Sequence, residues 1–292
     1  PLRLVGSEMC IRDSINVFSV MSIKVAPRED LMATGKILSE VEDGIGRLIF
    51  NNPARHNAVS LDMWHSAEEV LKKFENDNAI RVVVLSGAGG KSFVSGADIS
   101  EFGTERASKK AIKQYNQRVS TVNSFIINMS KPTIAQIDGY CIGGGLGLAV
   151  CCDIRFCSQK SKFSLPAAKL GLGYPFDNLK RLVDLVGPAV TSDITFSARL
   201  LDASEALRIG LVQNILDDNL HQFVNDYAVQ ISKNAPLTIK SMKFNICETQ
   251  KDQDDRNLEM VKLLVDNAFS SDDYIEGRTA FMEKRSPLFQ GK

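Results

Sequence analysis

With 292 residues, 44% hydrophobic and 24% charged, the chain has apolar material for one large core or two modest ones, and its composition shows no sign of disorder. Lys and Arg number 35, as do Asp and Glu, and the basic residues are dispersed, which excludes a broad electrostatic footprint for nucleic acid or an anionic membrane. No apolar run reaches the roughly 18 residues of a membrane span, and six Cys without a C-x-x-C pair and three well-separated His argue against a metal site or a His-dependent triad.

Residues 1–35 read as an upstream or loose extension. PLRLVGSEMCIRDSINVFSVMSIK lacks a basic n-region and a sustained apolar stretch, Glu8 and Asp13 interrupt any presequence pattern, and Met21 or Met32 are candidate starts. The cysteines read as buried, reduced thiols, and with no export signal the expected compartment is the cytoplasm.

Regular patterning begins at Lys36. KILSEVEDGIGRLIFNN predicts two short strands around an Asp43-Gly44 turn. Residues 53–59 form a loop, and Ser60 is placed to cap a helix running to Asn76. IRVVVLSGAGG predicts a buried strand, a long amphipathic helix covers Lys109 to Met129, TIAQIDGYC is a second strand, and IRFCSQKSKFSL a third strand region. Strands alternating with helix-length segments imply an α/β fold with a mostly parallel sheet. Beyond Pro236 the pattern is helical throughout, so the chain divides into a core over 36–236 and a helical region over 237–292.

Two glycine-rich turns follow buried strands, SGAGGKSFVSGAD at 86–98 and GYCIGGGLGL at 139–148. A phosphate-cradling P-loop would need glycine where Leu85 stands, and a dinucleotide fingerprint would need its third glycine at Leu148. Two readings of the triple glycine remain: tight packing of helix on strand, or an oxyanion hole of free backbone N–H groups at a helix start.

FVSGADISEF at 93–102, KPTIAQIDGYCIGGGLGLAVCCDIRF at 131–156, DASEALRIGLV at 202–212 and EGRTAFMEKRSPLF at 276–289 resemble the crotonase superfamily, or enoyl-CoA hydratase/isomerase family, over approximately Lys36 to the end. The resemblance implies a spiral of ββα units, a helical carboxyl-terminal region that forms trimers or hexamers, and an acyl-CoA thioester substrate of the kind met in fatty acid metabolism, with no added cofactor. It places the oxyanion donors at the backbone N–H of Ala97 and of Gly144. Residues 93–99 and the loop NNPARHNAV would line the acyl channel, with Arg55 and Lys284 reaching the CoA phosphates, the latter from a neighbouring subunit.

The same resemblance exposes a departure. Hydratases of the family carry one glutamate three residues past the middle glycine and another just beyond the proline of the segment that reads here KFSLPAAKLG; this chain has Gly147 and Ala167. Neither can move a proton, and Gly147 implies either room for a substrate group or close backbone packing. Asp177 is the remaining candidate proton carrier, with Tyr174 nearby, although Asp177 also suits the N-cap of the helix NLKRLVDLVG. Asp98 and Asp153 are expected to hold loops or helix ends, and Cys141 to lie in the core. Without either carboxylate the chain is expected to be a poor hydratase by the usual mechanism, whereas isomerisation, which needs only one base, decarboxylation and thioester hydrolysis remain compatible. A non-catalytic acyl-CoA-binding subunit and a nucleotide-binding protein are the readings from other classes.

Overall fold

The computed structural model describes residues 35–98 and 109–292, so the amino-terminal extension and the part of the first glycine loop beyond Asp98 lie outside it. Strands β1 (Ile37–Glu42) and β2 (Ile45–Phe50) form the antiparallel hairpin, turning on Asp43 and Gly44 with φ of 50° and 78°. Two consecutive positive φ values give the turn the twist that matches flanking strands. Helix α1 (Leu61–Asn76) starts where Ser60 Oγ accepts the Met63 N–H at 3.3 Å.

From there the chain repeats one move. Strand β3 (Val82–Gly87) lies in a six-stranded sheet and β4 (Ser92–Val94) in a four-stranded one, after which helix α2 (Lys109–Asn128) returns. The pair β5 (Thr133–Ile137) and β6 (Tyr140–Ile142) divides the same way before helix α3 (Gly144–Ala149), and so does β7 (Ile154–Ser158) with β8 (Lys162–Ser164). The two segments that the sequence reads as single strand regions are thus four strands shared between two sheets. At the first break Gly139 has φ of 80°, and a Cβ there would stand 2.0 Å from the Lys91 carbonyl oxygen. Only glycine permits that crossing.

Helices α4 (Phe176–Val186) and α5 (Pro188–Ser197), strand β9 (Leu201–Asp202), helix α6 (Ala203–Arg208), strand β10 (Asn214–Leu216) and helix α7 (Leu220–Ser232) complete the core. The large sheet runs β1-β2-β3-β5-β7-β10, parallel except for the hairpin, and the small one β4-β6-β8-β9, parallel except for β9. Parallel strands here are covered on both faces, which is why β3 reads as an unbroken apolar run. Val83 and Leu85 enter the main core between the sheets, while Val82 and Val84 pack with Phe156 beneath Leu220, Val224 and Ala228 of α7.

Helices α8 (Pro236–Thr249), α9 (Leu258–Phe269) and α10 (Asp272–Glu283) follow, with no strand among the described residues beyond Pro236. Buried Lys243 ties α8 to the sheet, donating to the Lys131 carbonyl and to Asp153 Oδ2, both at 2.8 Å. The same carboxylate oxygen accepts the Thr133 N–H and hydroxyl, so Asp153 does hold the junction between β5 and β7.

The loop after β2 is locked by Asn57, a fully buried residue at φ of 55°. Its Oδ1 accepts the Asn52 N–H at 2.8 Å and its Nδ2 donates to the carbonyls of Ala88 and Ser92 at 3.0 and 2.7 Å. Asn57→Ala removes all three bonds and leaves buried polar groups unpaired. The expected destabilisation is about 2–4 kcal/mol in a urea unfolding experiment, and a change under about 1 kcal/mol would contradict this reading.

Candidate active site

Three glycines in a row do three different things. Gly143, with φ of 57° and ψ of −115°, occupies a conformation closed to other residues and caps α3. Gly145 is pressed against β4: a Cβ there would lie 2.0 Å from the Val94 carbonyl oxygen. Tight helix-on-strand packing is therefore part of the answer. Gly144 is neither strained nor crowded, since a Cβ would meet only Gly96 Cα at 3.7 Å.

That contact joins the two glycine loops. A Cβ on Gly96, whose φ is 102°, would stand 3.6 Å from the Gly144 nitrogen. Val59 fixes the first loop by donating to the Gly96 carbonyl at 2.8 Å and accepting the Asp98 N–H at 3.2 Å. In a parallel bridge of this kind the bracketed residue turns its own N–H to the opposite side. Ala97 is that residue. Neither the Ala97 nor the Gly144 amide has an acceptor among the described residues, and both residues are half-buried. Val59 is itself held by the Tyr115 hydroxyl of α2, donating to its carbonyl at 3.0 Å, and that hydroxyl accepts the Trp64 indole N–H at 3.0 Å.

Arg55 sits at the edge of this arrangement. One guanidinium nitrogen meets buried Asp98 at 3.1 Å, and about half of the Arg55 side chain remains exposed. Asp98 thus ties the loop as expected. Lys284 lies elsewhere, exposed at the carboxyl end of α10 in a left-handed conformation. Phe93 and Val94 do not line a channel: they are β4 residues with no exposed surface, Phe93 meeting Phe50 edge-on at 6.4 Å.

Asp177 does not cap its helix. Helix α4 begins two residues earlier than expected, at Phe176, behind Pro175, and no side chain closes its start. The Asp177 carboxylate lies exposed in the first turn, where the helix dipole favours a negative charge. Ala167 is half-buried in a short 3-10 turn, Pro166–Leu170, packed against the core. At Gly147 the nearest atom to a built Cβ is Tyr174 Oη, 3.2 Å away. A phenol therefore borders the space, rather than close-packed backbone.

Buried thiols and the Arg155 guanidinium, which donates to the Cys152 carbonyl, lie behind this space. Cys141, Cys151, Cys152 and Cys157 are free and buried, as expected for Cys141. Burial pushes the thiols of Cys151 and Cys157 up to about 12 and those of Cys141 and Cys152 up as well, so none is an activated nucleophile. No group of three or more His, Cys, Asp or Glu side chains among the described residues is arranged to hold a metal, and no described helix is long and apolar enough to cross a membrane. Sequence reasoning placed Asn57 and Val59 only within a channel-lining loop and missed Tyr115; the signal for the role of all three is their position beside the glycine loops in space.

Comparison with known proteins agrees with the architecture. The family model for enoyl-CoA hydratase/isomerase matches residues 40–292. The chain is 32% identical over 262 residues to a crotonyl-CoA hydratase of Syntrophomonas wolfei, spanning 89% of this chain and all of that protein. It is 29% identical over 261 residues to a mitochondrial Delta(3,5)-Delta(2,4)-dienoyl-CoA isomerase of Dictyostelium discoideum, covering 84% and 87% of the two chains. The crystal structure of an enoyl-CoA hydratase/carnithine racemase from Magnetospirillum magneticum superposes with a TM-score of 0.85 at 33% identity, over 90% of this chain and 99% of that one. With its ββα spiral, paired glycine loops and these relatives, the chain belongs to the enoyl-CoA hydratase/isomerase family and is a hydratase/isomerase-type enzyme of the crotonase fold.

Proposed function

We propose that the chain binds an acyl-CoA thioester with its carbonyl oxygen between the amides of Ala97 and Gly144, and that these N–H groups stabilise the enolate formed during reaction. The observation that carries this reading is the meeting of two loops at Gly96 and Gly144, each presenting an amide with no acceptor among the described residues. Two such donors bind an oxygen more tightly as its negative charge grows, and in a half-buried setting one donor is worth roughly 10²–10³ in rate. Arg55, already oriented by Asp98 yet half exposed, is suited to a CoA phosphate at the rim. Lys284 would serve a neighbouring subunit, because it lies on the terminal helices.

Those helices supply the assembly reading. Phe281 and Met282 are each 80% exposed, and Leu258, Phe269 and Ile275 are also open to solvent. An apolar surface of that extent on α9 and α10 fits a homotrimer, pairing into a hexamer. Buried free thiols fit a reducing compartment, the cytoplasm among them. A second reading, a binding subunit without turnover, is favoured by the loss of both family carboxylates at Gly147 and Ala167.

Two experiments test these statements. Gly144→Pro removes the amide at the first position of α3, where proline is tolerated, and places ring carbons where the oxygen would bind. The variant should fold, while the carbonyl ¹³C shift of bound labelled butyryl-CoA loses its displacement and turnover of enoyl-CoA thioesters falls 10²–10³-fold. An unchanged shift refutes the assignment, and parent protein that binds without converting any thioester supports the subunit reading. Light scattering after gel filtration should give three or six times 32.1 kDa. A monomer at micromolar concentration would contradict the assembly.

A further inference from the structure

We propose that Tyr174 is the proton donor of this site, its hydroxyl delivering a proton to the α-carbon of the enolate from the space beside Gly147. The inference rests on the acyl-thioester reading above. Gly147 lies three residues after Gly144 in α3, and residues so spaced share a helix face. The phenolic oxygen, at 3.2 Å from the Cβ that Gly147 lacks, therefore borders α3 about one turn beyond the Gly144 amide. An alanine at 147 would already crowd it.

The hydroxyl is also uncommitted. It has no hydrogen-bond partner among the described residues and is not sealed away from solvent, whereas most phenols in such a setting are paired. The ring packs against the main core near the Cys141 and Cys151 thiols. Burial, reinforced by those thiols, raises the Tyr174 pKa above its ordinary value of 10, so the group stays protonated across the physiological range. It can give a proton and is a poor base.

The competitors differ. The Cys151 thiol is occupied, donating to the Gly147 carbonyl at 3.1 Å. Asp177 is exposed to solvent in the first turn of α4 and does not come within 4 Å of the Cβ that Gly147 lacks. The step itself is simple. The electron pair of the enolate carbon takes the Tyr174 proton, the O–H bond breaks, the thioester carbonyl re-forms at the Ala97 and Gly144 amides, and the tyrosinate regains a proton from water.

The test uses the full chain in D₂O with two thioesters that reach an enolate by different routes, crotonyl-CoA by addition at the β-carbon and methylmalonyl-CoA by loss of carbon dioxide. Parent enzyme should convert at least one, placing a single deuterium on one face of the α-carbon. Tyr174→Phe deletes an oxygen that holds nothing, so melting temperature should stay within about 2 °C and butyryl-CoA affinity within about threefold. Turnover should fall about 10²-fold or more, with deuterium reaching both faces of the residual product. Gly147→Ala should slow the parent about tenfold yet leave the residual rate of the Tyr174→Phe variant unchanged, because the crowded atom is gone. Tyr174→Phe with parental rate and stereochemistry overturns the proposal, as does a loss confined to Asp177→Asn. Parent that binds butyryl-CoA and converts neither thioester overturns it too. Failure to bind butyryl-CoA at all instead sinks the acyl-thioester reading beneath it.

Discussion

One contact governs the site: helix α3 lies so close to β4 that the Val94 carbonyl occupies the place of a side chain at residue 145. No other residue could stand there without separating helix from strand. That approach brings the start of α3 near the end of the first glycine loop, where a Cβ on either Gly96 or Gly144 would come into contact with the other. The packing and the exposed amide are not rival explanations for the triple glycine, because Gly145 makes the approach, Gly143 makes the turn, and Gly144 keeps its N–H free as a result.

The remaining scaffold holds that meeting in place from a distance. Asn57 pins the loop after β2 to the loop after β3, Val59 then brackets Ala97, and Tyr115 fixes Val59 from α2. All three interactions end on backbone carbonyls or amides of the loops that flank the site. Each bond contributes only about 1 kcal/mol net, but leaving its partner unsatisfied costs more. A site built of main-chain groups is positioned by main-chain pairing, so side chains that never meet substrate set its geometry.

Much of this was legible in the sequence, and what was not has physical causes. The hairpin at Asp43-Gly44, the Ser60 cap and the alternation of strand and helix rest on local backbone preferences, and the structure follows them. The division of TIAQIDGYC into two strands of different sheets was hidden, because both halves are apolar and the break is a single Asp-Gly step. Asp177 reads as a cap by residue type, yet the helix starts two residues sooner, behind Pro175. Phe93 reads as channel wall by resemblance, and burial removes it. The relation of Gly147 to Tyr174 joins residues 27 positions apart through a turn whose path no local pattern specifies.

The electrostatic character of the pocket follows from the same absence. Two carboxylates beside an oxyanion would raise its energy by like-charge repulsion, a sizeable effect where water is partly excluded. With Gly147 and Ala167 in this chain, the proposed oxyanion site would be bordered by amides, the Cys151 thiol and the Tyr174 phenol, with the Arg55–Asp98 pair at its edge. Such an environment favours forming an enolate and disfavours any step that needs a resident base to remove a proton. On the proposed reading, the chemistry best matched to it is one in which the enolate arises by bond-making or bond-breaking elsewhere in the substrate, leaving the protein to hold the oxygen and return a single proton to carbon.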